Sequence, residues 1–183
     1  MSDAFPLVSI FRKGYDPELV DAFFQDARQA YEGGVPAEQF SSEQVRQATF
    51  ALRRHGYRID AVDAAMNRLE AAFVQRDRAD HVAVNGENAW YEKIADRATT
   101  LYPRLLRPRG ERFAHPERGR GYDADAVDDL LDRLADYFDA HGEIAVDEIR
   151  HAVFPAAKRQ RAYAEGPVDA YLGRAVEILL AVS

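Results

Sequence analysis

The chain has 183 residues, 47% of them apolar, with 31 acidic against 24 basic side chains and a formal net charge of −7. That length allows one domain or two small ones. The acidic balance argues against bulk attraction to nucleic acid or anionic lipid, although local basic patches can act despite it. The lack of any cysteine excludes disulfides, thiolate metal sites and thiol nucleophiles.

Met1 to Pro6 has neither the charged nor the apolar region of a signal peptide, and no apolar run approaches a membrane span, so a cytoplasmic location is expected. Residues 5–16 read as an extended arm and turn. A first helix is predicted over 17–32, with Asp16 as N-cap, Pro17 in the first turn and Leu19, Val20, Phe23, Phe24, Ala27 and Tyr31 as an apolar stripe. Gly33-Gly34-Val35-Pro36 breaks it. Ser41 and Gln44 form a capping box for a helix over 42–53 carrying Val45, Phe50 and Leu52. Gly56-Tyr57 turns the chain into a helix over 60–79 with Met66, Leu69 and Phe73 on one side. Residues 81–88 read as a loop, and 87–106 as a helix bearing Trp90, Ile94, Ala98, Leu101 and Leu105. Pro103 should kink or shorten that helix. Trp90, the lone tryptophan, is expected to anchor the two halves to each other. After a charged connector, Arg107–Arg112, helices are predicted over 124–140, 145–153 and 166–181. No segment of useful length has strand periodicity.

One word recurs along this path. Arg12-Lys13-Gly14-Tyr15, Arg54-His55-Gly56-Tyr57, Arg120-Gly121-Tyr122 and Arg161-Ala162-Tyr163 each lead to a Val-Asp pair that begins five residues after the tyrosine. These pairs are Val20-Asp21, Val62-Asp63, Val127-Asp128 and Val168-Asp169. Tyr15 and Tyr57 lie about 42 positions apart and Tyr122 and Tyr163 about 41, a spacing typical of supersecondary repeats; Tyr57 and Tyr122 are about 65 apart, outside that period. The segment Val45–Phe50 ahead of the second copy resembles Ile149–Phe154 ahead of the fourth. Two duplicated halves follow, with an insertion between them. The glycine before the tyrosine marks a turn that a side chain would obstruct. The tyrosine is expected to fold back on its helix with its hydroxyl near solvent. The aspartate is expected to serve the helix N-terminus or to pair with a loop arginine.

Val-Arg-x-x-x-Phe, a basic loop, Gly-Tyr-Asp and Val-Asp-x-x-Leu together resemble the N-terminal domain of DivIVA, the Gram-positive cell-division and polarity protein. Several copies in one chain resemble the DivIVA-domain repeat proteins of high-GC Gram-positive bacteria, over most of residues 5–75 and 112–180. The resemblance implies an all-helical fold, a non-enzymatic scaffold role in cell division, polarity or envelope growth, and membrane attachment through the tip of the basic loop. Two departures stand out. No long heptad repeat follows the repeats. Only Phe11-Arg12 matches the apolar-and-basic loop tip of that family. The alternative is a soluble cytoplasmic helical adaptor that has lost membrane targeting.

Other chemistry finds little support. The Asp123–Asp136 series lacks the glycine and glutamate of a calcium loop and has the spacing of a solvated helix face. The five histidines are scattered, with no pair at helical metal-site spacing. Gly119-Arg120-Gly121 lacks the preceding strand of a dinucleotide fingerprint. The expectation is therefore an all-α protein of short helical hairpins in two duplicated halves (1–83 and 112–183) joined by a connecting helix and linker (84–111). It is expected to be no enzyme and to need no metal or cofactor. Phe11, Arg12, Lys13, Arg53, Arg54, Arg118, Arg120, Lys158, Arg159 and Arg161 are the candidate contacts. Their partners would be other proteins, including a second copy as a homodimer, and an anionic surface at the inner face of the membrane. Nucleic acid and small-molecule substrates are not expected.

Overall fold

The computed structural model describes residues 4–33 and 40–182. Gly34 to Pro36, part of the expected break after the first helix, lie outside them, as do Met1 to Asp3. The chain divides into two compact units, Met1–Asp80 and His81–Ser183.

Unit 1 begins with an arm that leads into strand β1 (Lys13–Tyr15) and helix α1 (Pro17–Tyr31). As expected, Asp16 caps α1: its carboxylate accepts from the Glu18 N–H at 3.0 Å, and Pro17 opens the first turn. Helix α2 (Ser42–Gln47) starts on the Ser41–Gln44 capping box, with the Gln44 side chain accepting from the Ser41 N–H at 2.8 Å. It ends well before residue 53, because the chain turns extended at Ala48 and enters strand β2 (Leu52–Arg54). Helix α3 (Ile59–Asn85) closes the unit and runs through the stretch expected to be a loop until Gly86, at φ 86°, stops it.

Two small cores hold unit 1. Ala27, Ala30, Val45 and Phe73 pack with Phe23, Phe40, Met66 and Leu69. Val20, Tyr57 and Val62 pack with Phe5, Leu7, Tyr15, Phe24, Phe50 and Met66. Arg76, on α3, donates to the carbonyls of Ala30 and Tyr31 and so satisfies the open C-terminal end of α1.

Unit 2 repeats the plan. Strand β3 (Arg120–Asp123) leads into α6 (Ala124–Phe138), capped by Asp123. Short helix α7 (Val146–Arg150) leads to β4 (Ala156–Lys158), a 3-10 turn (Arg159–Arg161), β5 (Ala162–Tyr163) and α8 (Glu165–Val182). The unit also holds the inserted helices α4 (Glu87–Thr99) and α5 (Tyr102–Leu105), which divide just before Pro103. Helix α4 packs on α8, which explains why Tyr171, Leu172, Val176, Ile178, Leu179 and Leu180 are all buried. A helix apolar nearly all round needs neighbours on more than one side. Trp90 docks here, donating to the Ala181 carbonyl at 3.0 Å with its ring beside His81. Its partners His81 and Ala181 both belong to unit 2, whose boundary falls before His81 rather than after residue 83.

The fold is therefore not all-α. Two antiparallel sheets are present: β1 with β2, and β3 between β4 and β5. The basic loops expected to be turns between helices are these strands. Each is two to four residues long, too short to show a period of two.

Candidate contact surface: two crossed tips

The Gly-Tyr words pair with one another within each unit. Tyr15 and Tyr57 exchange backbone hydrogen bonds at 3.0 and 2.8 Å, and Tyr122 pairs with Tyr163 between β3 and β5. The glycine is required by this crossing. A Cβ on Gly14 would run into the Tyr57 carbonyl oxygen, and one on Gly121 into that of Tyr163. The crossing also sets the role of the aspartates. Tyr57, from the second repeat, donates to both carboxylate oxygens of Asp21, from the first, at 3.1 Å. Tyr163 donates to Asp128 at 3.1 and 3.0 Å. The reciprocal pairs face each other as well. Burial, and then the Asp63 carboxylate, pushes the Tyr15 phenol pKa up. Burial and Asp169 do the same to Tyr122. Each tyrosine thus meets the aspartate of the other repeat, an exchange that one copy read alone cannot reveal.

This corrects two expectations. Tyr57 and Tyr163 are fully buried, with their hydroxyls bonded rather than solvated. The aspartates pair with tyrosines and not with loop arginines. Among the described residues, the one arginine ion-paired with any of them, Arg112 at 3.7 Å from Asp128, comes from the arm. Val20, Val62, Val127 and Val168 are wholly buried under the crossings. Phe50 and Phe154, the ends of the resembling segments, set their rings on Tyr15 and Tyr122 at 5.4 and 5.2 Å.

An arm lies along each crossing. In unit 1 the Ala4 N–H donates to the Tyr57 hydroxyl at 3.2 Å, Phe5 packs edge-on to Tyr57, and Arg58 donates to the Pro6 carbonyl. In unit 2 Arg112, Phe113 and Ala114 do the same to Tyr163 and Ala164. The two arms share only the phenylalanine, Phe5 and Phe113, so this third part of the duplication leaves little trace in the sequence.

Beyond the crossings, the strands end in exposed tips. In unit 1 the tip holds Ile10, 59% exposed, and Phe11, 87% exposed. Beside them Lys13 pairs in register with Arg54. Arg12, Lys13 and Arg54 are exposed and have no ion-pair partner among the described residues. Arg53 points the other way, as strand alternation requires, and pairs with Asp16 and Glu18 at 3.4 and 3.0 Å. It is therefore taken up internally. In unit 2 the tip gathers Arg118, Arg120, Lys158, Arg159 and Arg161, all exposed, with no large apolar side chain among them. Left-handed residues at matching places, His55 at φ 55° and Arg159 at φ 56°, turn the chain out of β2 and β4.

Among the described residues, no group of three His, Asp or Glu side chains is placed to hold a metal ion, and no helix is long and apolar enough to cross a membrane. Comparison with protein-family models, with curated proteins and with solved structures finds no match.

Proposed function

We propose that the chain is a non-enzymatic scaffold or interaction protein of the DivIVA-domain type, serving bacterial cell division, polarity or envelope growth. In this reading it attaches peripherally to the inner face of the membrane through the tip of unit 1. The repeated Gly-Tyr and Val-Asp words support the family reading. The membrane reading is carried by Phe11, 87% exposed beside the free cations Arg12, Lys13 and Arg54. A large apolar ring held in water beside cations gains by entering an anionic interface. Burying it is worth about 2 kcal/mol, and each cation near such a surface adds about 1 kcal/mol. The sum describes reversible attachment rather than permanent anchoring.

Flotation with vesicles containing phosphatidylglycerol, against neutral phosphatidylcholine, tests it. The expected result is binding to the anionic vesicles only, weakened about 30-fold by Phe11→Ala, the loss that ~2 kcal/mol corresponds to. If the wild type stays unbound at low salt, membrane attachment is wrong and the protein is a soluble helical adaptor.

A further inference from the structure

Helix α4 carries two apolar stripes, and α8 covers one of them. Trp90 and, just beyond the helix, Leu101 turn to α8, where Trp90 donates to the Ala181 carbonyl and the Tyr171 hydroxyl donates to that of Leu101, both at 3.0 Å. Tyr91, Ile94, Ala95 and Ala98 fall at the i, i+3, i+4 and i+7 positions of a second stripe. With Phe138 at the end of α6 and Ile178 on α8, this second stripe lines a groove of about 440 Å³. The groove is open. Tyr91 on one wall is 45% exposed, and Val182 on the other is 41% exposed.

Shape and charge together select the occupant. Small-molecule sites enclose most of their ligand. This groove leaves one side open and so takes one face of what it holds, as helix-binding grooves do. Ala95 and Ala98 put little bulk on the α4 wall, which lets a second backbone come close. The surroundings are acidic. Helices α6 and α8 both run away from the crossing and end at the groove, and neither has a basic residue in its last turn. The negative ends of two helix dipoles therefore meet there. Glu92, Asp96 and Asp136 on these helices, and Asp139 at the end of α6, have no ion-pair partner among the described residues. Of the cations on α4, α6 and α8, Arg97 and Arg133 are bound to Glu177 and Glu148, and Lys93 lies over the Trp90 ring. That leaves Arg174 as the one cation of the three helices outside such contacts, among the described residues.

We propose that this groove docks an amphipathic helix of a partner protein, apolar on the face that enters and rich in lysine or arginine on its flanks. Apolar anchors one turn apart lie along Ala95 and Ala98, between Tyr91 and Phe138, and the basic flanks face the carboxylates of α4 and α6. Opposite charge at the rim steers such a partner in and rejects an acidic one. The site gives the interaction-protein reading a place where a partner is held. It uses neither tip, so it does not depend on whether unit 1 touches a membrane.

Calorimetry on the full chain with three synthetic peptides of about 15 residues, long enough to hold a helix, tests this at low and at physiological salt. The first peptide has leucines at i, i+3, i+4 and i+7 and lysines between them. The second replaces every lysine by glutamate, and the third scrambles the first. Only the first should bind, and more weakly as salt rises. Ala95→Arg fills the groove from an exposed helix position and should abolish binding. Tyr91→Ala should weaken it about tenfold, as the loss of an aromatic anchor does. Ala83→Arg adds the same charge at an exposed site on α3 and should bind like wild type. Phe11→Ala should also bind like wild type, which keeps this result separate from the membrane reading. Circular dichroism should show every variant folded; if Ala95→Arg loses helix, Tyr91→Ala decides. Failure of the first peptide to bind, or binding that survives both groove variants, overturns the proposal. Equal binding of the glutamate peptide overturns the basic partner, and equal binding of the scrambled one overturns the helix. A wild-type dimer in sedimentation that Ala95→Arg dissociates would make the occupant a second copy of this chain and overturn the partner helix.

Discussion

The crossings of unit 1 and unit 2 share one plan in two environments. In both, a buried tyrosine donates to the aspartate of the other repeat and an arm lies over the hydroxyl. In unit 1 the aspartate, Asp21, is exposed, and the arm residue above the tyrosine is Ala4. In unit 2 the aspartate, Asp128, is fully buried. It accepts from the Gly110 N–H at 2.7 Å and sits beside Arg112, which stands where unit 1 has Ala4. Arg112 in turn is held by Asp132 and by the Asp128 carbonyl. The hydrogen-bond exchange is therefore common to both units, and the arm decides whether it is a surface feature or a sealed ionic network.

The largest effect should come from the crossing itself. Gly121→Ala and Gly14→Ala each drive a Cβ into a partner carbonyl on a paired backbone that cannot move aside. Each should cost about 4 kcal/mol or more, the range of severe core strain. Trp90 is the lone tryptophan and lies in unit 2, so its fluorescence reports that unit. Gly121→Ala should lower the denaturation midpoint read by Trp90, whereas Gly14→Ala should show mainly in the helical circular dichroism. Equal response of both signals to either variant would mean that the units do not unfold separately.

The second effect separates the two environments. Asp128→Ala leaves the buried Tyr163 hydroxyl and the Gly110 N–H without their acceptor while Arg112 keeps Asp132, and should cost about 3 kcal/mol. Asp21→Ala removes a hydrogen bond at the surface and should cost about 1 kcal/mol. Chemical denaturation of both variants measures the ratio. Similar losses would show that the arm over Asp128 contributes no more than the one over Asp21.

The third is a pH effect. Burial, with the Asp128 charge, pushes the Tyr163 phenol up to about 12, even though the Arg112 N–H bonded to its oxygen pulls the other way. An unfolded tyrosine ionises near 10. Between those values the native state holds a proton that the unfolded state has lost, so stability falls as pH rises, by about 2–3 kcal/mol in all. This contribution is complete below about pH 10. Tyr163→Phe should flatten that part of the alkaline stability curve and remove the component near pH 12 from the tyrosinate absorbance titration, while a later component from Tyr171, which burial pushes higher still, remains. If the titration keeps that component, the high value belongs to another tyrosine.

How much of this could be read beforehand follows from the range of each interaction. Local signals were legible: the Asp16 and Asp123 caps, the Ser41–Gln44 box, the division at Pro103 and the four-fold word. The strands were not, because β1 and β2 are three residues each and gain their partners from about 40 positions away. The Tyr–Asp exchange was hidden for the same reason. The spacing of Tyr to Val-Asp within one copy is visible, but the contact is made between copies. Of the expected contact residues, Arg53 leaves the tip because strand alternation sets it on the opposite side of β2 from Arg54, where it pairs with Asp16 and Glu18 while staying exposed. Phe11 is exposed, as are Arg118, Arg120, Lys158, Arg159 and Arg161, and the register of β3 and β4 sets Arg120 opposite Lys158.

The smallest effect sharpens the comparison at α2 and α7, which occupy equivalent places in the two units. Ser41 stands at the N-cap of α2 with its hydroxyl accepting from the Glu43 N–H at 3.2 Å, and Gln44 reaches back to the Ser41 N–H. At α7 only the second half of this exchange exists: Glu148 reaches back to the Ala145 N–H at 3.1 Å, and an alanine at the cap offers no acceptor. Ala145 is exposed and already has the extended backbone of an N-cap, φ −86° and ψ 143°. Ala145→Ser should therefore complete the box without disturbing any neighbour and stabilise unit 2 by up to about 1 kcal/mol, while Ser41→Ala should destabilise unit 1 by a similar amount. Denaturation followed by Trp90 fluorescence reads the first, and circular dichroism reads the second. A loss of stability in Ala145→Ser would mean that α7 is held by the packing of Ile149 on α8 in a pose the new hydroxyl disturbs, and that its first turn does not limit unit 2.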